Sequence, residues 1–168
     1  MVAGEQSVRV PLTRERVLQE AVSLVDESGM DALTMRRLGQ RLGVEAMSLY
    51  NHVSNKSDLL DGMADLVSAE FAVPVPGGNW RHELRRAANS AHQVLLRHPW
   101  AGPLLESQSN PGPARLRYLN GFVGVLVESG LPMQATYHAV LTLDSYIYGY
   151  ALQEAAAPVP PEQAAQAA

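Results

Sequence analysis

Cysteine is absent from the 168 residues, which excludes disulfides, thiolate metal sites, thiol nucleophiles and zinc fingers. A large excess of positive charge is also missing. The formal net charge of −4 and pI near 5.7 argue against a chain that coats nucleic acid or anionic lipid over its whole surface. The longest apolar runs, such as "FVGVLV" from Phe122 to Val127, fall far short of membrane-spanning length, and "MVAGEQSVRV" lacks the apolar centre of a signal peptide. A cytoplasmic chain with no membrane partner is expected. There is no phosphate loop, no GxSxG elbow and no HExxH, so an enzyme is the weakly supported alternative. His82, His92, His98 and His138 form no pair at a convincing metal-ligand spacing, so neither metal nor cofactor is expected.

What is present is helical periodicity without strand-like alternation. A helix is predicted after Pro11 and Thr13, with Val17, Leu18, Ala21, Val22 and Val25 on one face and Gly29 as its stop. A short helix follows Thr34, with Met35, Leu38 and Leu42 inward. Gly43 turns the chain, and a third helix is expected from about Glu45 to His52. "SNKS" offers caps for a fourth helix with a stripe from Leu59 to Phe71. After the break "VPVPGGNW" come helices over Trp80–Arg97, a short turn at "AGPLLES", Pro113–Val127 and Met133–Glu154. The expected fold is all-α: a three-helix helix-turn-helix domain over 11–58, joined through the fourth helix to a helical effector-binding and dimerisation domain over 59–156. Flexible tails are expected at 1–10 and 157–168.

The positive charge concentrates around the glycine turn. From Arg36 to Lys56, the cations Arg36, Arg37, Arg41 and Lys56 stand against Glu45 alone, a net of +3. In the third helix, spacing turns Val44, Leu49 and Val53 inward, with Ala46 at the edge, and Met47, Ser48, Asn51 and His52 outward. Asparagine can pair bidentately with adenine, serine can donate or accept, and methionine can meet a thymine methyl. Thr34, Tyr50, His52 and Lys56 sit at helix starts or flanks, where their polar groups reach phosphate.

The run "ALTMRRLGQRLGVEAMSLYNHVSNKSDLL" resembles the N-terminal DNA-binding domain of the TetR family of transcriptional repressors. "W…HPW…LDSYIYGYALQE" is similar to the tetracycline-repressor-like C-terminal domain. The resemblance implies a homodimer on a palindromic operator, released when a small effector swings the fourth helix. It assigns DNA contact to Thr34, Arg36, Tyr50, His52 and Lys56, with Arg36 on phosphate or base, and recognition positions to Ala46, Met47, Ser48 and Asn51. Where the tetracycline repressors hold their drug–magnesium chelate, this chain aligns Ala87 and Leu105, with Ala91 in place of a ring, so neither tetracycline nor magnesium carries over. An unidentified effector is expected among Ala87, Ala91, Leu105, Tyr118, Phe122, Val140 and Asp144, whose alternative role is core packing. Tyr137, Tyr146, Tyr148 and Tyr150 are open to a subunit interface. Family members usually continue beyond the helix ending near Glu154. A second alternative is therefore a shortened interaction module that pairs with a full-length relative and does not itself bind operator.

Overall fold

The computed structural model describes residues 11–108 and 110–156; the tails at 1–10 and 157–168 lie outside the described residues. Within them the chain folds as α1 (Arg14–Ser28), a 3-10 turn (Met30–Ala32), α2 (Met35–Leu42), α3 (Ala46–Leu49), α4 (Lys56–Ser68), α5 (Trp80–Arg97), α6 (Ala101–Ser107), α7 (Pro113–Glu128) and α8 (Met133–Ala156). Local chemistry explains most of the starts. Thr13, Thr34, Asn55 and Asn79 each accept a bond from the amide three residues on, at 3.2, 3.1, 2.9 and 3.2 Å, which satisfies a helix-end donor. Pro113 opens α7 where no amide hydrogen is needed.

The third helix is shorter than its periodicity predicts. Regular α-helix covers only Ala46–Leu49. From there the amides of Tyr50, Asn51 and His52 bond three residues back, to Met47, Ser48 and Leu49 at 3.2, 3.3 and 2.9 Å, so the continuation is a tightened 3-10 turn. The physical reason lies outside the segment. Arg14 of α1 donates to the His52 carbonyl at 2.9 Å and grips Asp58 of α4 at 2.5 and 3.0 Å, which draws the chain out of the helix toward α4.

One core runs through both halves. Val17, Ala21 and Leu24 of α1 meet Leu38, Leu49 and Leu59, and the cluster continues through Met63, Val67 and Phe71 to Tyr118 and Phe122. Each fully buried leucine here contributes roughly 1.5–3 kcal/mol. α4 belongs to both halves: it packs on α1 at one side and on α6 and α7 at the other. α8 lies against α5, α6 and α7.

Candidate nucleic-acid interface and inner cavity

The approach of α2 to α3 depends on one missing side chain. Gly39 is buried, and a Cβ there would stand 2.8 Å from the Val44 carbonyl oxygen and 3.2 Å from the Ala46 amide nitrogen. Gly43 ends α2 in the left-handed region, at φ 70°, which glycine adopts without a side-chain penalty. Leu49 and Val53 are then fully buried, and Val44 and Ala46 are half-buried. Met47 stands 73 % exposed, Tyr50 and Asn51 are exposed, and Ser48 and His52 are half-buried. These five surround one short helix and its exit turn.

The basic patch is smaller in space than along the chain. Arg41 is held by Glu20 and Glu27 of α1, and its hydrogen bonds keep the Glu27 carboxyl below the ordinary range. Arg37 donates to the Ser28 hydroxyl at 3.1 Å. Arg36 and Lys56 remain exposed and, among the described residues, uncommitted to any carboxylate. Lys56 is the single lysine of the sequence and opens α4, where its charge adds to the helix's positive end. The Thr34 oxygen accepts the α2 capping bond, while its hydroxyl hydrogen is free to donate outward.

Asp58 fixes this face to α1 and α4. The Arg14 guanidinium, and after it the Ser54 amide at 2.7 Å, hold its carboxyl down at about 2. The folded value lies below the ordinary 3.8, so the contribution is present above about pH 4 and is lost as pH falls through about 2. Asp58→Asn is expected to cost about 1 kcal/mol at pH 7, because the clamp is partly exposed. Denaturant melts of variant and wild type should converge as the pH is lowered through that window.

A cavity of about 320 Å³ lies between α6, α7 and α8. Leu105, Val140 and Asp144 line it, with Glu106, Gln108 and Arg115. Leu119, Val123 and Leu141 add apolar surface, and Tyr137 stands on its α8 side. Arg115, only 7 % exposed, donates to Asp144 at 2.7 Å and to the Tyr148 hydroxyl, with its guanidinium 5.0 Å from the Tyr148 ring centre. Burial pushes the Asp144 carboxyl above its ordinary range even though Arg115 opposes the shift.

The structure places Ala87, Ala91, Tyr118 and Phe122 elsewhere: all four are buried in the core and none lines this cavity. Tyr118 makes edge contacts with Phe71 and Phe122 at 5.1 and 4.9 Å between ring centres, so these rings belong to the packed core.

Residues 17–63 match the family described as "Bacterial regulatory proteins, tetR family". Residues 73–168, more than half the chain, match "Tetracyclin repressor-like, C-terminal domain". The chain belongs to the TetR family. It is 34 % identical over 139 residues to an HTH-type transcriptional regulator of Saccharopolyspora erythraea, covering 82 % of this chain and 59 % of that one. It is 31 % identical over 146 residues to the class D tetracycline repressor protein of Escherichia coli, covering 85 % and 66 %. The crystal structure of the Streptomyces coelicolor TetR family protein ActR in complex with actinorhodin matches with a TM-score of 0.83 at 28 % identity, over 94 % of this chain and 75 % of that one. The chain thus spans less than two thirds of the length of these curated relatives.

Reading the sequence as a TetR chain misses two features of the sites. One is Arg115, which meets Asp144 and Tyr148 only once α7 and α8 are packed. The other is Asp65 of α4, whose carboxylate accepts from the Ala114 and Arg115 amides at 2.8 and 3.2 Å. The only sequence signal for the first was an arginine in the first turn of α7 and the i, i+4 pair of Asp144 and Tyr148 on α8.

Proposed function

We propose that this chain is a ligand-responsive, sequence-specific DNA-binding regulator, a repressor released from a palindromic operator by a small-molecule effector and acting in the cytoplasm as a homodimer. The observation that carries the reading is the constellation at α3. Met47, Ser48, Tyr50 and Asn51 face outward on a segment seated by Gly39, flanked by Arg36 and Lys56 as cations free for phosphate. Base-edge contacts fall to Met47, Ser48 and Asn51, with Ala46 beside them; phosphate contacts fall to Thr34, Arg36, Tyr50, His52 and Lys56.

The family membership and the relatives named as tetracycline repressors support the repressor reading, and the actinorhodin complex of ActR supports a small organic effector. The cavity between α6, α7 and α8 is the effector site in this reading. Its coupling to DNA runs through Asp65: an occupant that shifts Arg115 moves the first turn of α7, whose amides Asp65 holds, and α4 carries the displacement to Asn55 and Lys56. Gly112 fits this joint, because a Cβ there would stand 2.4 Å from the Asp65 carboxyl. Exposed Tyr146 and Tyr150 on α8, stacked on each other, supply an apolar face for a second copy of the chain. Among the described residues no helix is long and apolar enough to cross a membrane.

Gel shifts test the phosphate assignments. Lys56→Ala is expected to weaken binding to every duplex alike and to reduce the slope of log affinity against log salt by about one. Undiminished binding with an unchanged slope would remove Lys56 from the interface. Light scattering should report a dimer at micromolar concentration; a monomer would contradict the dimeric mechanism.

A further inference from the structure

We propose that the cavity between α6, α7 and α8 takes a small amphipathic organic cation, an ammonium or amidinium group on an apolar body, and discriminates against organic anions. The inference rests on reading this cavity as the effector site, and it follows from what the polar groups on its wall have already committed. Arg115 is the cation there, and each of its terminal nitrogens already makes one bond, Nη1 to the Tyr148 hydroxyl and Nη2 to Asp144. Its guanidinium lies over the Tyr148 ring, so an anion entering the cavity finds the positive group already bound and one face covered.

One carboxylate on the wall is in the opposite state. The Glu106 carboxylate, exposed on α6 at the cavity wall, has no cation partner among the described residues. Asp144 is the committed one: its carboxylate accepts from Arg115 at Oδ2 and is held by the Tyr148 hydroxyl as well. Gln108 donates its amide nitrogen to Asp61 at 3.0 Å, which fixes the amide orientation, and its buried Oε1 has no hydrogen-bond partner among the described residues. The two carboxylates exceed the one guanidinium by a single negative charge, which a monocation neutralises.

The rest of the wall suits an apolar body. Leu119, Val123, Val140 and Leu141 form the greasy side, and Tyr137 offers a ring to a cation. At about 320 Å³ the cavity lies at the small end of ligand sites, roughly 300–1,000 Å³, which limits the body to a fused bicyclic ring or a short chain. Burial already raises the Asp144 carboxyl, so a bound cation also relieves a strained charge.

Calorimetry on the full chain at neutral pH with 2-(1-naphthyl)ethylammonium and with 1-naphthylacetate tests this, since the two share a ring system and carry opposite charges. The cation is expected to bind about tenfold or more tighter, a difference of about 1.4 kcal/mol. Glu106→Gln, a substitution at an exposed residue, should weaken the cation about threefold, and Glu106→Lys should abolish or reverse the preference. The proposal is overturned if the anion binds as well as the cation, if neither binds, or if the preference ignores both substitutions. Gel shift without ligand separates the two readings. A chain that prefers the cation but shifts no DNA keeps the pocket chemistry and loses the regulatory role; one that shifts DNA but prefers the anion does the reverse.

Discussion

Gly39→Ala is expected to lower the unfolding free energy by about 1–3 kcal/mol and to reduce operator affinity at least about tenfold, more than the lost stability alone explains. The added methyl would stand 2.8 Å from the Val44 carbonyl oxygen and 3.3 Å from the Ala46 Cα. These are backbone atoms, so no side chain can rotate away, and the turn that carries α3 must move. The Val44 amide also bonds the Gly39 carbonyl at 2.9 Å, so the displacement strains that bond as well. A shift of this kind moves Met47, Ser48 and Asn51 together relative to Arg36 and Lys56. Gly43→Ala supplies the comparison. Its φ of 70° carries a cost of about 1–2 kcal/mol, but a Cβ there meets nothing within 4 Å. Thermal melts should rank the two variants close together, while gel shifts should separate them, with Gly43→Ala retaining most of its binding. Equal loss of binding in both would mean that stability, not the seating of α3, controls the DNA face.

Removing Asp144 is expected to cost more than removing Arg115, although the two form one ion pair. Breaking a buried pair costs about 3–5 kcal/mol, because the survivor is left as an unpaired buried charge. Asp144→Leu leaves a guanidinium that cannot give up its proton, and that residue is only 7 % exposed. Arg115→Met leaves a carboxyl that can take a proton, and burial raises it even with its partner present. With Arg115 gone its folded pKa lies further above the unfolded value of about 3.9. The Arg115→Met penalty is therefore small below that unfolded value and grows as pH rises through the folded one. Urea unfolding should show Asp144→Leu close to full cost at every pH, with Arg115→Met well below it in acid and approaching it only as the pH rises and the raised Asp144 carboxyl ionises. The double variant should recover much of the loss. Parallel pH profiles for the two single variants would show that Asp144 does not take up the proton.

The parts of this fold that were legible in sequence are those decided within a few residues. Thr13, Thr34 and Asn55 announce helix starts because a short polar side chain and an amide three residues later are enough to make the bond. Gly39 and Gly43 mark the turn for two different reasons, contact and backbone conformation, and both are visible as glycines at fixed spacing from Leu38 and Leu42. The length of α3 was not legible, because Arg14 and Asp58, 44 residues apart, set its exit. Charge counting along the chain likewise places Arg37 and Arg41 in the DNA-facing patch; α1 lies across them with Glu20, Glu27 and Ser28, and the usable charge contracts to Arg36 and Lys56. In the second half, the resemblance to the tetracycline-repressor-like domain groups Tyr118 and Phe122 with Val140 as one lining. Packing divides them, since Tyr118 meets Phe71 and Phe122 edge-on in the buried core, and the open volume lies at Leu105, Val140 and Asp144.

Sequence preference is where the regulator reading is most exposed. Fluorescence anisotropy with a labelled duplex from the region upstream of the chain's own gene, against a scrambled duplex at matched salt, measures it in one titration series with wild type and Asn51→Ala. Wild type is expected to favour the upstream duplex. Asn51→Ala should lose about 1–3 kcal/mol of that preference while binding the scrambled duplex as before. Wild type that binds both duplexes equally, or no better than Asn51→Ala, would contradict sequence reading by the α3 face.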